Sequence, residues 1–504
     1  MKNQMRVGRA PAIPPAEEAA RTEFLLKHPE YASTSRLDAR RASDYSRLDA
    51  SGQIYLDYTG GSLHGASQVR EHAALLNQHV FSNPHSSNLT SAATTDLVER
   101  ARRYVLQYFN APDNEYVAVF TVNATGALKQ VGESYPFAAG GRYVLTADNH
   151  NSVNGIREFA RSKGAAIDYA PLTVPNLRID MPRLDALLDA ADPTRPSLFA
   201  FPAQSNFSGV KHPLDLVERA QSKGWDVLLD AAAFVPTNRL DLAAVRPEFV
   251  SISFYKMFGY PTGVGCLLIR SSALPKLVRP WFAGGTVRFA TVRGGAHVLA
   301  PGEAGFEDGT LNYLSIPAVE IGLRHLESIG LDAIQTRVRC LTSWLLEQLL
   351  ALQHANGRHM VRIYGPADMK MRGGTVALNL YDPDGHLLDY RRVEELASLE
   401  RISLRTGCFC NPGAGETAEG LTDEDTGAGA AVGADVTLNR YLEVLRHRGG
   451  KSVGAIRVSL GLMSNFADVY RFMKFVEGLR EQTRLTLGEV TFDIDSCRVM
   501  RDGS

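Results

Sequence analysis

The sequence predicts an α/β protein in which a large domain with a mostly parallel sheet covered by helices is followed by a smaller α+β C-terminal domain. Three observations predict it. From residue 116 to 269, short apolar runs alternate with helical segments, as in strands buried on both faces. A long helical pattern over 331–353 then leads away. After it, strand-like runs (MVRIYGP, GTVALNLYD, ISLRTG, AIRVSLG) mix with helical ones at 386–399, 437–447 and 465–484, an α+β arrangement.

Residues 1–50 read as an arm: Pro/Ala/charge-rich and unstructured over its first 20 residues, helical in patches from Glu23 to Leu48. QIYLDYTGG (53–61) reads as a short strand entering a glycine turn, and 66–80 and 91–109 as helices around the polar loop SNPHSSN. The large domain spans 51–330. The small domain spans 331–504 and carries the loop of Cys410. Within it, 413–434 is Gly/Ala/acid-rich with no core pattern, and a mobile loop is expected.

At 504 residues the chain has room for a large core and two domains. Lys+Arg 54 against Asp+Glu 55 leave a net charge of -1, with no basic run, so neither nucleic acid nor a membrane surface is an expected partner. A small-molecule enzyme is. The five cysteines, Cys266, Cys340, Cys408, Cys410 and Cys497, are too few and scattered for a disulfide framework. With no apolar signal core near the start and no run long enough to span a bilayer, a soluble protein in the reducing cytoplasm is expected.

The residue that organises the chain is Lys256, in SISFYKMFGYPTGVGCLLI. It ends an alternating strand-like run among Phe254, Tyr255, Met257 and Phe258, where desolvation favours the neutral amine. A neutral amine attacks carbonyls and can hold an aldehyde cofactor, pyridoxal phosphate being the commonest. The alternative is a strand-end lysine that reaches back to water. In a parallel sheet, ligands sit beyond the carboxyl ends of the strands. The polar residues there are Asn123 and Thr125, His150, Asn206, Asp230 and Lys256, which would converge on one crevice.

Each has a chemistry and a plainer alternative. The TVNATG turn, with Asn123, Ala124 and Thr125, follows a strand and opens a helix, so its N–H groups can hold a phosphate or simply cap the helix. Ser253 is a second phosphate candidate. Asp230 can pair with a pyridinium nitrogen or serve as an N-cap. His150 can stack on a pyridine ring, and Asn206 can donate to a cofactor or substrate oxygen or shape a turn. RTGCFCNPG offers two thiols at i and i+2, without a second ligand pair at metal spacing, so no metal is expected. One thiol can be a nucleophile favoured by Arg405. Arg457 can clamp a carboxylate.

The motifs AQSNFSGVKHPL, LLDAAA, SFYKMFGYPTGVG, FEDGTLNYLSIPA, RTGCFCNPG and GAIRVSLGLMS, in this order from about Tyr55 to Val476, resemble the class V aminotransferase superfamily, and within it the cysteine-desulfurase domain of molybdenum cofactor sulfurases. The resemblance implies fold type I of the pyridoxal-phosphate enzymes, normally a homodimer with sites at the interface. It implies that Lys256 carries the cofactor, Asp230 meets its ring nitrogen, His150 stacks on it, and Thr125 and Ser253, with Thr310 from the neighbouring subunit, hold its phosphate. Tyr255 joins the same lining. Asn206, Arg405 and Arg457 fall on the substrate side, and Cys410 matches the persulfide-forming cysteine. The chain departs from the pattern at Gly415, where relatives carry a third cysteine, and at Tyr255, where iron–sulfur desulfurases carry a histidine. About 28 residues follow Val476, too few for the sulfurases' C-terminal cofactor-binding domain. The function implied is conversion of L-cysteine to L-alanine with sulfur passed to an acceptor protein or cofactor. A C–S lyase, an epimerase, an aminotransferase and a non-catalytic partner protein are the alternatives.

Overall fold

The computed structural model describes residues 14–84, 86–422, 424, 425, 427, 454–488, 491–493 and 498–500. Its centre is a seven-stranded sheet in the order Tyr116–Thr121, Gly265–Arg270, Phe249–Ser253, Asp226–Asp230, Ser197–Pro202, Arg142–Thr146, Ala166–Ala170. The inner strands Ser197–Pro202 and Phe249–Ser253 are buried at every residue, because helices cover both faces. Gly265–Arg270 runs antiparallel to both neighbours, and the other pairings are parallel. The link from Ser253 to Gly265 is too short for the crossover that a parallel neighbour needs, so the chain turns back. Within that link, Phe254–Phe258 forms one helical turn. Lys256 thus lies inside a short helix that starts at Phe254, where the alternating pattern from Phe249 suggests the strand's last residue. Phe254, Met257 and Phe258 pack into the core and anchor it there.

Leu331–Ala351 leads to a four-stranded antiparallel sheet in the order Val361–Tyr364, Thr375–Leu380, Ala455–Ser459, Arg405–Gly407. Tyr390–Leu399 and Phe466–Gly478 are its principal helices, and the helix expected at 437–447 lies outside the described residues. Ile54–Tyr55 pairs in parallel with Ile402–Ser403, and Ser459 donates its N–H to Leu56 O, so the chain near residue 55 edges the later sheet.

Two low-complexity segments are ordered where composition suggests they would not be. Pro15–Lys27 is a helix, because Phe24 is fully buried against Trp344 and Phe466, a contribution of about 2–3 kcal/mol. Beyond it, Arg337 donates to Thr34 and pairs with Asp38, while Arg41 pairs with Asp468, fastening the segment to the two helices of the later region. In place of the start of a mobile loop, Pro412–Glu419 is a helix capped by Asn411, whose side chain accepts from Ala414 N–H. Ala414, Gly415 and Ala418 are buried, and a Cβ on Gly413 would collide with the Ala147 carbonyl. The small residues permit close packing there. The part of 413–434 from 428 onward lies outside the described residues.

Candidate active site

Beyond the carboxyl ends of the central strands lies a cavity of about 330 Å³, within the size range of small-molecule sites. Asn123, Ala124, Thr125, His150, Asn206, Asp230, Ser253, Tyr255 and Lys256 all line it. Gln204, Ser152, Thr262 and Gly263 are among the other residues of its walls. The convergence expected from the strand ends is therefore present.

One end is the start of the helix Ala124–Ser134. Asn123 caps it, its Oδ1 accepting from Gly126 N–H at 2.8 Å. Asn123 thereby does what an ordinary N-cap does, and the free N–H groups of the first turn make that end suited to an anion. Thr125 Oγ1 meets Ser152 Oγ at 2.7 Å. A Cβ on Gly265 would run into the backbone of Asn123 and Ala124, so glycine lets the returning strand close beneath this helix start.

At the other end Asp230 is buried, its Oδ1 accepting from Ser251 Oγ at 2.8 Å and Ala232 N–H at 3.1 Å. His150 Nδ1 accepts from Ser152 N–H at 3.1 Å. The neutral imidazole then carries its proton on Nε2. Burial lowers the imidazole from its usual range, against a rise from Asp230. Lys256 is likewise lowered by burial, partly restored by Asp230 and lowered again by Arg457 and Arg405. This donor set (an anion-binding helix start with hydroxyls, a carboxylate for a cationic ring nitrogen, an imidazole and a deprotonation-prone lysine) fits pyridoxal phosphate.

The loop from the four-stranded sheet forms the facing wall. Phe409 and Cys410 have φ of 55 and 54, left-handed values that cost about 1–2 kcal/mol per residue, and several bonds hold them. Cys410 O accepts from Asn151 N–H at 2.7 Å, one residue beyond His150. Asn206 Nδ2 donates to Phe409 O and its Oδ1 accepts from Asn411 Nδ2, both at 2.8 Å. Asn411 Nδ2 also donates to Asp148 O at 2.7 Å. The Cys410 side chain is exposed and that of Cys408 partly so. Cys410 is close enough to raise Lys256 and Arg457 electrostatically.

The substrate-side residues are arranged differently from expectation. Asn206 spends its amide on the cysteine loop. Buried Arg457 donates Nη2 to Asp57 Oδ1 at 3.0 Å and Nη1 to Asn206 O at 3.1 Å, and stacks over Phe409 at 4.6 Å. Its Nε is buried without a partner among the described residues. Arg405, half exposed, donates Nε and Nη2 to Asp57 Oδ2 at 2.9 and 2.7 Å. Neither arginine lines the Lys256 cavity. Thr310 lines an adjoining cavity of about 200 Å³ with Asp308 and Asn312, sharing only Val122 and Gly263 with the first. Asp57, Asn411 and Ser152 are the functional neighbours that sequence reasoning missed. The signal for Asp57 was a carboxylate in a short strand leading directly into the Thr59-Gly60-Gly61 turn.

The family described as Aminotransferase class-V matches residues 54–472. A molybdenum cofactor sulfurase from Solanum lycopersicum is 37% identical over 494 residues, covering 91% of this chain and 60% of that protein. The Homo sapiens protein of that name is 35% identical over 463 residues, covering 86% and 50%. This chain thus spans about half to three fifths of the length of these relatives. Among solved structures, an apo cysteine desulfurase from Thermococcus onnurineus NA1 superposes with a TM-score of 0.71 at 23% identity, covering 88% of this chain and 97% of that one. A cysteine desulfurase from Escherichia coli gives 0.66 at 21%, covering 88% and 98%. The fold is therefore fold type I.

Proposed function

The chain belongs to the class-V aminotransferase family, enzymes that work with pyridoxal phosphate, and on that premise we propose that it is a cysteine desulfurase that moves sulfur from L-cysteine onto Cys410. The observation that carries the reading is the docking of the Cys410 loop beside His150 with its thiol exposed. The relatives named molybdenum cofactor sulfurase and the neighbours named cysteine desulfurase support it.

The helix start at Asn123–Thr125 and Ser253 would hold the cofactor's phosphate, Asp230 its ring nitrogen, His150 its ring face and Lys256 its aldehyde carbon. When bound, the cofactor supplies an electron sink next to the substrate's Cα. The chain's own residues do the rest. Lys256 Nζ, favoured in its neutral form, takes the Cα proton and returns a proton to carbon. Arg457 would take the substrate carboxylate through its Nε–H, which is unpartnered among the described residues, once that buried atom opens towards the cavity it now stands behind. The Cys410 thiolate attacks the substrate sulfur, so that an S–S bond forms as the Cβ–S bond breaks. The electron pair left on carbon is protonated, alanine departs, and Cys410 holds the persulfide. Carbon is reduced as sulfur is oxidised, and no outside oxidant enters.

Exposed Cys410 then delivers sulfur to a protein or cofactor acceptor, and the relatives' name makes the molybdenum cofactor the first to test. The reading includes a homodimer, supported by Trp281, Phe282, Phe289 and Val298, which stand exposed on and beside the hairpin Val287–Ala290/His297–Leu299, and by Thr310 standing outside the Lys256 cavity. No helix among the described residues is long and apolar enough to cross a membrane, and the four described cysteines are free, which suits the reducing cytoplasm.

The test is to give the cofactor-loaded protein L-cysteine and measure alanine and protein-bound persulfide. Cys410→Ala should abolish persulfide while keeping the cofactor's absorbance, and Cys408→Ala should retain activity. Borohydride reduction should fix the cofactor on the Lys256 peptide. Wild-type turnover by Cys410→Ala would overturn the desulfurase reading in favour of a lyase or aminotransferase.

A further inference from the structure

Outside the lining of the crevice, where the N-terminal segment meets the long helix Leu331–Ala351, three donors of different chemistry converge. His28 closes the helix Pro15–Lys27, Glu30 lies in the 3-10 turn Pro29–Thr34, and Cys340 lies on the long helix. One ring nitrogen, one carboxylate oxygen and the Sγ all fall within 4.8 Å of one another. The packing of Phe24 and Tyr31 and the Arg337 bonds to Thr34 and Asp38 fix this approach independently of the three donors. His28 Nε2 is buried and has no hydrogen-bond partner among the described residues, although buried polar atoms are normally satisfied. The Cys340 side chain is buried.

We propose that His28, Glu30 and Cys340 form a structural zinc-type site that staples the N-terminal segment to the long helix. Imidazole, carboxylate and thiolate are the ligand classes zinc takes, and with three protein donors a water takes the fourth tetrahedral position, so the staple is an open site and binds more weakly than a closed four-ligand one. Bond lengths of about 2.0–2.3 Å put one thiolate, one nitrogen and one oxygen roughly 3.3–3.6 Å apart in a tetrahedral site, so separations of up to 4.8 Å need to close by at most about 1.5 Å. The local charges are mixed. Arg339 Nη2 lies 3.2 Å from Glu30 Oε1, on a largely exposed side chain free to move aside, and Lys27 is engaged by Glu347 and Glu23. Without metal, burial and Glu30 push the Cys340 thiol up to about 12. Metal binding would replace its proton, which passes to solvent. The site owes nothing to the crevice and holds whatever the reaction there.

The test uses untagged, cofactor-loaded full chain, stripped with chelator and titrated with Co²⁺ and then Zn²⁺. We expect one Co²⁺ per chain with a thiolate-to-cobalt charge-transfer band, its displacement by Zn²⁺, and a rise in Tm with Zn²⁺. Cys340→Ser should abolish the band. His28→Gln should weaken binding by more than the roughly ten-fold that losing a ligand's hydrogen-bond partner costs. Cys408→Ser and Cys410→Ser should leave both unchanged. Binding below one per chain, a band that survives Cys340→Ser, or one lost with the crevice thiols overturns the proposal. Should Cys340→Ser fail to fold, His28→Gln decides, since His28 is only half-buried and tolerates an isosteric amide.

Discussion

On one wall of the crevice, Lys256, Asp230, His150 and Thr125 stand just past buried strands and line the cavity. On the other, Asp57, Arg405, Arg457, Asn206 and Asn411 pair with one another and clasp the backbone on either side of Cys410, Asn206 also reaching the cavity lining. The first wall is poised for a ligand and takes its rigidity from a sheet whose packing is indifferent to the site. The second is a closed polar network whose members fix the loop's shape. The difference teaches where a substitution will cost chemistry and where it will cost structure, and the second wall offers the sharper tests.

The largest expected effect is at Asp57. Among the described residues it alone pairs with buried Arg457, and it also holds Arg405; removing one partner of a buried pair costs about 3–5 kcal/mol. Asp57→Asn should fall near the lower figure, because Arg405 is half in solvent. A change below about 1 kcal/mol in urea unfolding would mean that the network is not cooperative. Gly413→Ala comes next. Its Cβ meets the Ala147 carbonyl, so the helix after Cys410 must shift. A loss of about 1–3 kcal/mol with faster alkylation of Cys410 is expected, and unchanged alkylation would show that the helix does not fix the loop. Asn206→Ala leaves Phe409 O and one Asn411 hydrogen without their partner, a cost of about 1–2 kcal/mol. Amide exchange over 405–412 should quicken while cofactor retention changes little. A lost cofactor with a quiet loop would put Asn206 on the first wall instead.

The same division decides what was legible in the sequence. Lys256, Asp230 and His150 could be read because strand periodicity and parallel topology carry residues far apart in sequence to one edge. The network of Asp57 could not, because its partners lie some 350 and 400 residues away and nothing local announces that two arginines will share one carboxylate. Composition misled at Pro412–Glu419, where Gly and Ala serve close packing, and at Pro15–Lys27, where one buried Phe24 orders a polar helix. Periodicity over Phe249 to Phe254 ran one residue past the strand's end at Ser253 and gave no sign of the helical turn Phe254–Phe258 that holds Lys256.

The smallest expected effect joins the two walls through charge. Burial is the first cause holding Lys256 below its ordinary 10.5. Asp230 raises it, and Arg457 and Arg405, both of the facing network, lower it. In the folded protein the charged amine is therefore disfavoured, so its burial costs stability at pH below the depressed value, and that cost fades as pH rises towards 10.5. The same shift governs reactivity. Capture of pyridoxal phosphate by the apo-protein, followed by absorbance, should quicken with pH and level off below 10.5, because only the neutral amine attacks the aldehyde. Arg405→Gln removes a charge that lowers Lys256, and Arg405 lies outside the cavity, so the midpoint should move up with the plateau rate kept. Asp230→Asn removes the carboxylate that raises it, so the midpoint should move down. Since Arg405 is half exposed, added salt should shrink its effect. If Arg405→Gln leaves the midpoint where it was at low salt, Arg405 has no electrical reach to Lys256, and any charge coupling between the walls runs through buried Arg457.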